Sequence, residues 1–332
     1  MSHTITVTGG DIAFPCEAGE TILEAAERAG FTVPYSCRRG VCASCEGALN
    51  AGRAVVGRAR PVAGPATAVR FCQTRPCEDV EIAPVAIART LRSRKRFAAT
   101  VHAIARPARD VAIVSLRLPI GRRAPFRAGQ YVRVHLGDGD SRCYSLANAP
   151  QDNDRVELHV RHVPGGRFSE ACLARLTPGA TLDLELPFGT SSPDDGSEPL
   201  IVLATGTGFA PAQSIVLDLA RRGLARPVHL FWGGRTMADL YAAGRVMHLT
   251  AHHPWFRFTP VLSRAPAAGA AAGRVQDTAL AEYHDMSGAI VYAGGNPAMV
   301  ADARRLLTAA AGLPAAHYHA DAFVPSGATA DA

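Results

Sequence analysis

Cys37-Arg38-Arg39-Gly40-Val41-Cys42-Ala43-Ser44-Cys45 is the stretch on which the reading of this chain turns. Four residues separate its first two cysteines and two separate the next, the spacing that opens one class of [2Fe–2S] ligand set. Each of the two irons needs two thiolates, so a fourth cysteine must come from elsewhere. Cys72, in Val69-Arg70-Phe71-Cys72-Gln73, is the first candidate, and Cys77 is its rival. Gly40 suits a loop that must take positive φ or approach the metal closely. The loop's own N–H groups can serve as donors to the cluster's sulfurs. A zinc site or disulfides are the plainer readings of so many cysteines. Tetrahedral zinc sites are usually built from two Cys-x2-Cys-like pairs, and only Cys42 and Cys45 make one. Disulfides need an oxidising compartment, and the first residues show no secretory signal pattern.

The 332 residues are enough for two or three domains, each with its own core. No apolar run reaches the roughly eighteen residues of a membrane span, so the chain is expected in the cytoplasm, with no membrane partner. Formal charge is +6, and Lys95 is the only lysine. Arginine abundant beside Ala, Gly and Pro reads as base composition, and no nucleic-acid partner is expected. Cys16, Cys77, Cys143 and Cys172 read as small buried residues. His252-His253 and His317/His319 have no further ligands at metal-site spacing.

Residues 1–88 read as a first domain. Ile5 and Val7, then Ile12 and Phe14, flank Gly9-Gly10-Asp11, a hairpin signal. Thr21 with Glu24 three residues on is a capping box, and Gly30 stops the helix it starts. A short strand near Glu46 to Leu49 and a closing strand at Val80-Glu81-Ile82 complete an α+β unit. With the cysteine loop, this order resembles the β-grasp fold of plant-type ferredoxins. Arg89 to Arg96 is a basic stretch and reads as a linker.

Residues 97–196 hold six β-rich runs separated by turn residues: Phe97 to Ile104, Val111 to Leu118, Gln130 to Leu136, Ser141 to Leu146, Val156 to Val163 and Thr181 to Leu186. Such spacing predicts a closed antiparallel barrel or a sandwich. Within it, Arg142-Cys143-Tyr144-Ser145 pairs a cation suited to phosphate with a flat aromatic face suited to a ring system. The stretch resembles the flavin motif Arg-x-Tyr-Ser/Thr of the ferredoxin–NADP⁺ reductase superfamily. Leu158-His159-Val160-Arg161 resembles the next flavin-lining strand. Gly165-Gly166-Arg167-Phe168-Ser169 resembles the turn that opens a helix under the flavin pyrophosphate, where free N–H groups face anions. The resemblance implies FAD rather than FMN. Arg142 would hold its phosphates, Tyr144 would stack on its ring, and Ser145 would lie near N5 as a hydrogen-bonding catalytic helper.

Residues 198–324 alternate apolar strands with helices, which predicts a parallel α/β sheet. Ala265 to Ala272 reads as a surface loop and Val324 to Ala332 as a tail. Thr205-Gly206-Thr207-Gly208-Phe209-Ala210-Pro211 joins a strand to a helix, a context in which backbone N–H groups meet a pyrophosphate. It lacks the G-x-G-x-x-G fingerprint but resembles the superfamily's nicotinamide-nucleotide loop, as do Trp232-Gly233-Gly234-Arg235 and Asp239-Leu240-Tyr241. Ala293-Gly294-Gly295-Asn296-Pro297-Ala298-Met299 resembles the family's Cys-Gly-Pro-Pro-x-Met stretch. Gly294 stands where many relatives have the cysteine, and Asn296 replaces the first proline. Asp321-Ala322-Phe323 resembles the family's acidic residue followed by an aromatic, with Asp for Glu shortening the reach. The residues after Phe323 leave no terminal aromatic against the flavin.

The fold expected is therefore multidomain: a β-grasp ferredoxin, an antiparallel flavin barrel and a parallel-sheet nucleotide-binding domain. This order resembles single-chain reductase components of bacterial oxygenases and the reductases of deoxysugar dehydratases. A nicotinamide gives two electrons at once and a cluster takes one, so FAD is implied between them. NADH is the expected donor and NADPH the second choice, since Arg235 or Arg264 could meet a 2′-phosphate. The acceptor is a separate protein, and Arg38 and Arg39 either favour an acidic surface on it or are simply two solvated arginines. A hydroxylating dioxygenase, a soluble diiron monooxygenase and a deoxysugar dehydratase are the candidate acceptors. A redox-sensing module and a reductase that releases free reduced flavin are the other classes.

Overall fold

The chain divides in sequence between Ser93 and Arg94, and a computed structural model describes residues 2–90, 94–224 and 226–324. In the first unit the alternating residues form β1 (His3–Val7) and β2 (Ala13–Cys16), an antiparallel hairpin. Helix α1 (Ile22–Arg28) follows, with Thr21 Oγ1 accepting from the Glu24 N–H at 3.2 Å. The Glu24 carboxylate accepts from the Thr21 N–H at 2.9 Å, closing the capping box. Gly30 leaves the helix at φ +79°. The helix buries Ile22, Leu23, Ala25 and Ala26.

Beyond it come β3 (Phe31–Thr32), β4 (Glu46–Ala51), β5 (Arg53–Val56), β6 (Arg60–Ala63), β7 (Ala66–Arg70), β8 (Thr74–Pro76), β9 (Val80–Pro84) and β10 (Ala88–Arg89). The main sheet runs β2-β1-β9-β4-β7. β9, the strand expected at Val80-Glu81-Ile82, lies in its middle, parallel to β1. The small sheet β6-β5-β8 is absent from the sequence reading because its strands are only three or four residues long. The basic stretch is shorter than expected, because Arg89 pairs with Phe31 in β10 and Lys95 and Arg96 begin the next strand. Its residues 91–93 lie outside the described residues.

The second unit opens with β11 (Lys95–Ala108), β12 (Val111–Arg117), β13 (Tyr131–His135), β14 (Ser141–Ser145), β15 (Arg155–Arg161) and β16 (Thr181–Phe188). Their antiparallel order is β14-β13-β16-β11-β12-β15, and a bridge between Leu146 and Leu158 joins its two ends. The sheet therefore closes into a barrel around Val114, Leu116, Val132, Val134, Leu158 and Leu184.

The remainder is β17 (Leu200–Thr205), α2 (Phe209–Arg222), β18 (Val228–Gly234), α3 (Ala243–His252), β19 (Phe256–Leu262), β20 (Ala271–Ala272), α4 (Val275–Glu282), β21 (Ile290–Gly295), α5 (Pro297–Ala310) and β22 (Tyr318–Ala322). The order β20-β19-β18-β17-β21-β22 is parallel throughout. β20 falls inside the expected Ala-rich loop, where Ala271 pairs with Val261. The expected tail, apart from Val324, lies outside the described residues. The strand order reverses between β17 and β21, and such a switch point leaves a crevice at the strands' carboxyl ends. The glycine stretches that follow β17 and end β21 sit there.

Candidate functional site

The four cysteines are brought together as two pairs. The thiols of Cys37 and Cys42 hydrogen-bond each other, as do those of Cys45 and Cys72. Cys77 is exposed and apart, held through its N–H to Arg53 O at 2.9 Å. Among the described residues no three or more His, Cys, Asp or Glu side chains are grouped around one ion. Two and two is the division that two irons need. The loop alternates handedness, with Arg38 at φ +55°, Gly40 at +72° and Ala43 at +61°, and such turns aim successive N–H groups inward. Arg39 N and Cys42 N donate to Cys37 Sγ at 3.3 and 3.4 Å. The Cys42 thiol and these amides lower the Cys37 pKa to about 6, and the Cys45 thiol lowers that of Cys72. A Cβ on Gly40 would press on Gln73 Cγ at 2.9 Å. This donor set fits a thiolate-bound cluster. Of the remaining cysteines, Cys16 is buried as expected, whereas Cys77 and Cys143 are exposed and Cys172 half-buried.

On the barrel, Arg142 and Arg167 stand side by side across one carboxylate. Asp140 accepts from Arg142 at 2.5 Å and from Arg167 at 2.7 Å, and Asp138 takes the other end of Arg167 at 2.7 Å. Tyr144 packs at 5.2 Å from Phe168, and burial raises its phenol pKa. Gly166 opens a single wide turn, Arg167–Cys172, and a Cβ there would strike Ser169 Oγ and Val163 O. The Ser169 hydroxyl accepts from Val163 N at 3.2 Å, so it braces the turn from within. Two adjacent guanidiniums beside a glycine turn fit a pyrophosphate-bearing cofactor. Phe168 and Val160 are core residues, which leaves Val160 only its backbone for a ligand.

His159 is buried and bonded at both nitrogens, to Tyr241 Oη at 2.8 Å and Glu157 Oε1 at 3.2 Å. Gln213 and Arg245 complete this knot between barrel and sheet, donating to Glu157 at 2.8 and 3.3 Å. Burial pushes the Glu157 carboxyl up, but His159, Gln213 and Arg245 outweigh it and hold its pKa at about 2.

At the switch point a cavity of about 870 Å³ is lined by Thr205, Gly206, Thr207, Gly233, Gly234, Arg235, Gly295 and Asn296, among others. Its two glycine loops touch backbone to backbone. A Cβ on Gly208 would fall on Gly294 O, and one on Gly295 would fall on Thr205. A Cβ on Gly294 would come within 3.1 Å of Gly208 O, so a side chain there would press on the facing loop. Asn296 caps α5, accepting from Ala298 N at 2.8 Å, and its own N–H donates to Thr205 Oγ1 at 2.9 Å. Arg235 forms a two-pronged pair with Asp239 at 2.7 and 3.0 Å and comes within 3.9 Å of Asp110. Arg161, expected on the flavin strand, lines this cavity and pairs with Asp110 at 3.0 Å.

Ser145 ends β14 and donates to Asp321 Oδ2 at 2.9 Å. The aspartate's short side chain therefore reaches the barrel. Phe323 lines the cavity, tied through its N–H to Gly295 O at 2.8 Å. Asp110, Phe323 and Gln276 belong to this wall too. The buried Gln276 Oε1 has no partner among the described residues. A single glutamine at a helix start carries no sequence signal.

Three family models match the chain in succession, described as a 2Fe-2S iron-sulfur cluster binding domain (residues 5–77), an oxidoreductase FAD-binding domain (98–192) and an oxidoreductase NAD-binding domain (202–305). The chain is 42% identical over 337 residues to reductase component 1 of terephthalate 1,2-dioxygenase from a Comamonas species, covering 98% of each. It is 32% identical over 331 residues to the CDP-6-deoxy-L-threo-D-glycero-4-hexulose-3-dehydrase reductase of Yersinia pseudotuberculosis, covering 98% of this chain and all of that one. Among solved structures, a cytochrome P450 reductase from Amycolatopsis superposes with TM-score 0.78 at 31% identity, covering 97% of this chain and 99% of the other. The chain belongs to the family of single-chain NAD(P)H-dependent reductases that carry FAD and a [2Fe–2S] cluster. It is an oxidoreductase that takes electrons from NAD(P)H through FAD and the cluster to an acceptor. No helix among the described residues is long and apolar enough to cross a membrane.

Proposed function

We propose that this reductase works in the cytoplasm and delivers its electrons to the oxygenase component of a ring-hydroxylating dioxygenase, with NADH as donor. The end-to-end likeness to the terephthalate dioxygenase reductase component carries this reading. FAD, when bound, supplies the step between two-electron and one-electron chemistry, and the cluster passes single electrons on. Cys37, Cys42, Cys45 and Cys72 are the proposed ligands, within a ferredoxin domain of residues 1–88. Arg142, Tyr144 and the Gly166–Ser169 turn hold FAD on the barrel of residues 97–196. The loops at Thr205–Gly208 and Gly294–Asn296 hold the nucleotide in the domain of residues 198–324. Ser145 and Asp321 orient the reacting rings through their hydrogen bond and exclude water between them. NADH is the family-like choice, and of the two arginines that could meet a 2′-phosphate, Arg235 is paired with Asp239 and lies 3.9 Å from Asp110.

An anaerobic visible spectrum of the loaded protein tests the donor and the path. Flavin and cluster bands bleaching together within seconds of NADH, and far more slowly with NADPH, are expected. A flavin that reduces beside an unresponsive cluster would overturn the path. A second acceptor reading, a deoxysugar dehydrase, is supported by the 32% relative. Reconstitution with each purified acceptor separates the two.

A further inference from the structure

The cluster loop carries two arginines, and the fold treats them differently. Arg38 pairs with Glu27 and lies 4.3 Å over the Tyr35 ring, so its charge is met inside the unit. Arg39 is exposed, and its guanidinium has no ion-pair or hydrogen-bond partner among the described residues. In the same unit Arg58, in the turn between β5 and β6, and Arg60 at the start of β6 share that condition, as does Arg89, whose guanidinium lies 5.4 Å over the Phe31 ring.

The turn is fastened to the cluster loop through one residue. Gly57 N donates to Gln73 O at 2.8 Å, and Gln73 Nε2 donates to Arg38 O at 3.0 Å. Gln73 follows Cys72, and its amide lies 3.9 Å from that sulfur. Arg58 and Arg39 thus each follow directly a residue bonded to Gln73. Nearby carboxylates are already occupied: Glu27 by Arg38, Glu46 by Arg70 and Glu78 by Arg53. Arginines and carboxylates are equal in number over residues 1–90. Three exposed arginines without carboxylate partners therefore stand on the cluster loop and the turn fastened to it, in a unit balanced as a whole, and exposed charge so placed governs encounter rates.

We propose that Arg39, Arg58 and Arg60 form the docking rim on which an acidic face of the electron-accepting protein settles. The proposal rests on the electron-transfer reading above. Each encounter moves one electron: the cluster is oxidised, the acceptor's metal centre is reduced, and no bond or proton changes place at the rim. Relative to the sequence reading, Arg38 drops out of the surface and the hairpin turn enters it.

The test uses the holoprotein, the double variant Arg58→Gln/Arg60→Gln, the single variant Arg39→Gln and a charge-matched control, Arg257→Gln/Arg305→Gln, in the second unit. The probes are an acidic cytochrome b5 and a basic cytochrome c. Raising NaCl from about 20 to about 300 mM, which shortens electrostatic reach severalfold, is expected to slow cytochrome b5 reduction about tenfold. At low salt the double variant loses about tenfold of that rate, Arg39→Gln loses severalfold, and the control keeps it. Cytochrome c is unaffected by either variant. Equilibrium binding of oxidised cytochrome b5 to oxidised holoprotein, measured by calorimetry without NADH, weakens in parallel.

A rate to cytochrome b5 that ignores salt, or a double variant that matches the control, overturns the docking rim while leaving the electron path standing. Slower reduction of the cluster by NADH in the double variant also overturns it, since the arginines would then serve electron entry. So does a shifted cluster potential that accounts for the rate. A wild-type cluster that never responds to NADH sinks the underlying reading instead.

Discussion

Cys72 and Cys77 are five positions apart in sequence, and only a three-dimensional environment tells them apart. Cys72 is buried against Cys45, while Cys77 faces solvent. Cys72→Ser is expected to remove most of the bound iron and labile sulfide, and Cys77→Ser to leave both intact. Chemical iron and sulfide analysis with the visible spectrum checks this, and equal loss in both variants would return Cys77 to the ligand set. Ser145→Ala removes the donor to Asp321. Flavin reduction by NADH is expected to slow about a hundredfold, the lower end of the range for one well-placed donor at a reacting centre. Asp321→Asn should lose less, since an amide still accepts from the serine. Stopped-flow absorbance at the flavin band measures both, and unchanged rates in the two variants would leave the pair a purely structural tie.

At the scale of the element, the capping box on α1 was legible residue by residue: Thr21, Glu24 and Gly30 each occupy the position their chemistry predicts. Thr21→Ala removes the acceptor for the Glu24 N–H, at a cost of about 1 kcal/mol. Its thermal midpoint should fall by a few degrees in the first unit alone, read by the near-ultraviolet and visible bands of the cluster. An unchanged midpoint would mean that packing of Ile22 and Leu23 alone holds the helix. The three-stranded sheet β6-β5-β8 was not legible, because a strand of three or four residues shows too little alternation to count. The β5–β6 turn gains importance only when Gly57 meets Gln73.

At the scale of the molecule, the second unit is sewn together by buried titratable groups. Glu157 has its folded pKa held at about 2, below the usual carboxylate value, and burial lowers His229 to about 4. In both cases the unfolded chain binds the proton more readily, so the stability they contribute is complete above about pH 6.5. His229 loses its share as pH falls from about 6.5 to 4, and Glu157 its share from about 4.5 to 2. The thermal midpoint of the second unit should therefore decline on acidification through these windows. Glu157→Gln should flatten the lower one, and calorimetry across pH checks the pattern. A midpoint independent of pH between about 6.5 and 4 would show that His229 is protonated without penalty.

The sequence by itself determined the three-part order, the cysteine loop, the six barrel strands and the strand–glycine–helix junction, because each rests on spacing or periodicity within a few residues. Tertiary structure alone decided which cysteine completes the pairs, that Asp321 reaches Ser145, and that Arg161 lines the cavity at the switch point. It also decided that Arg38 is neutralised while Arg39 is not. These are relations between residues far apart in the chain. Their geometry depends on how the barrel closes and where the sheet reverses order, and no local pattern encodes that.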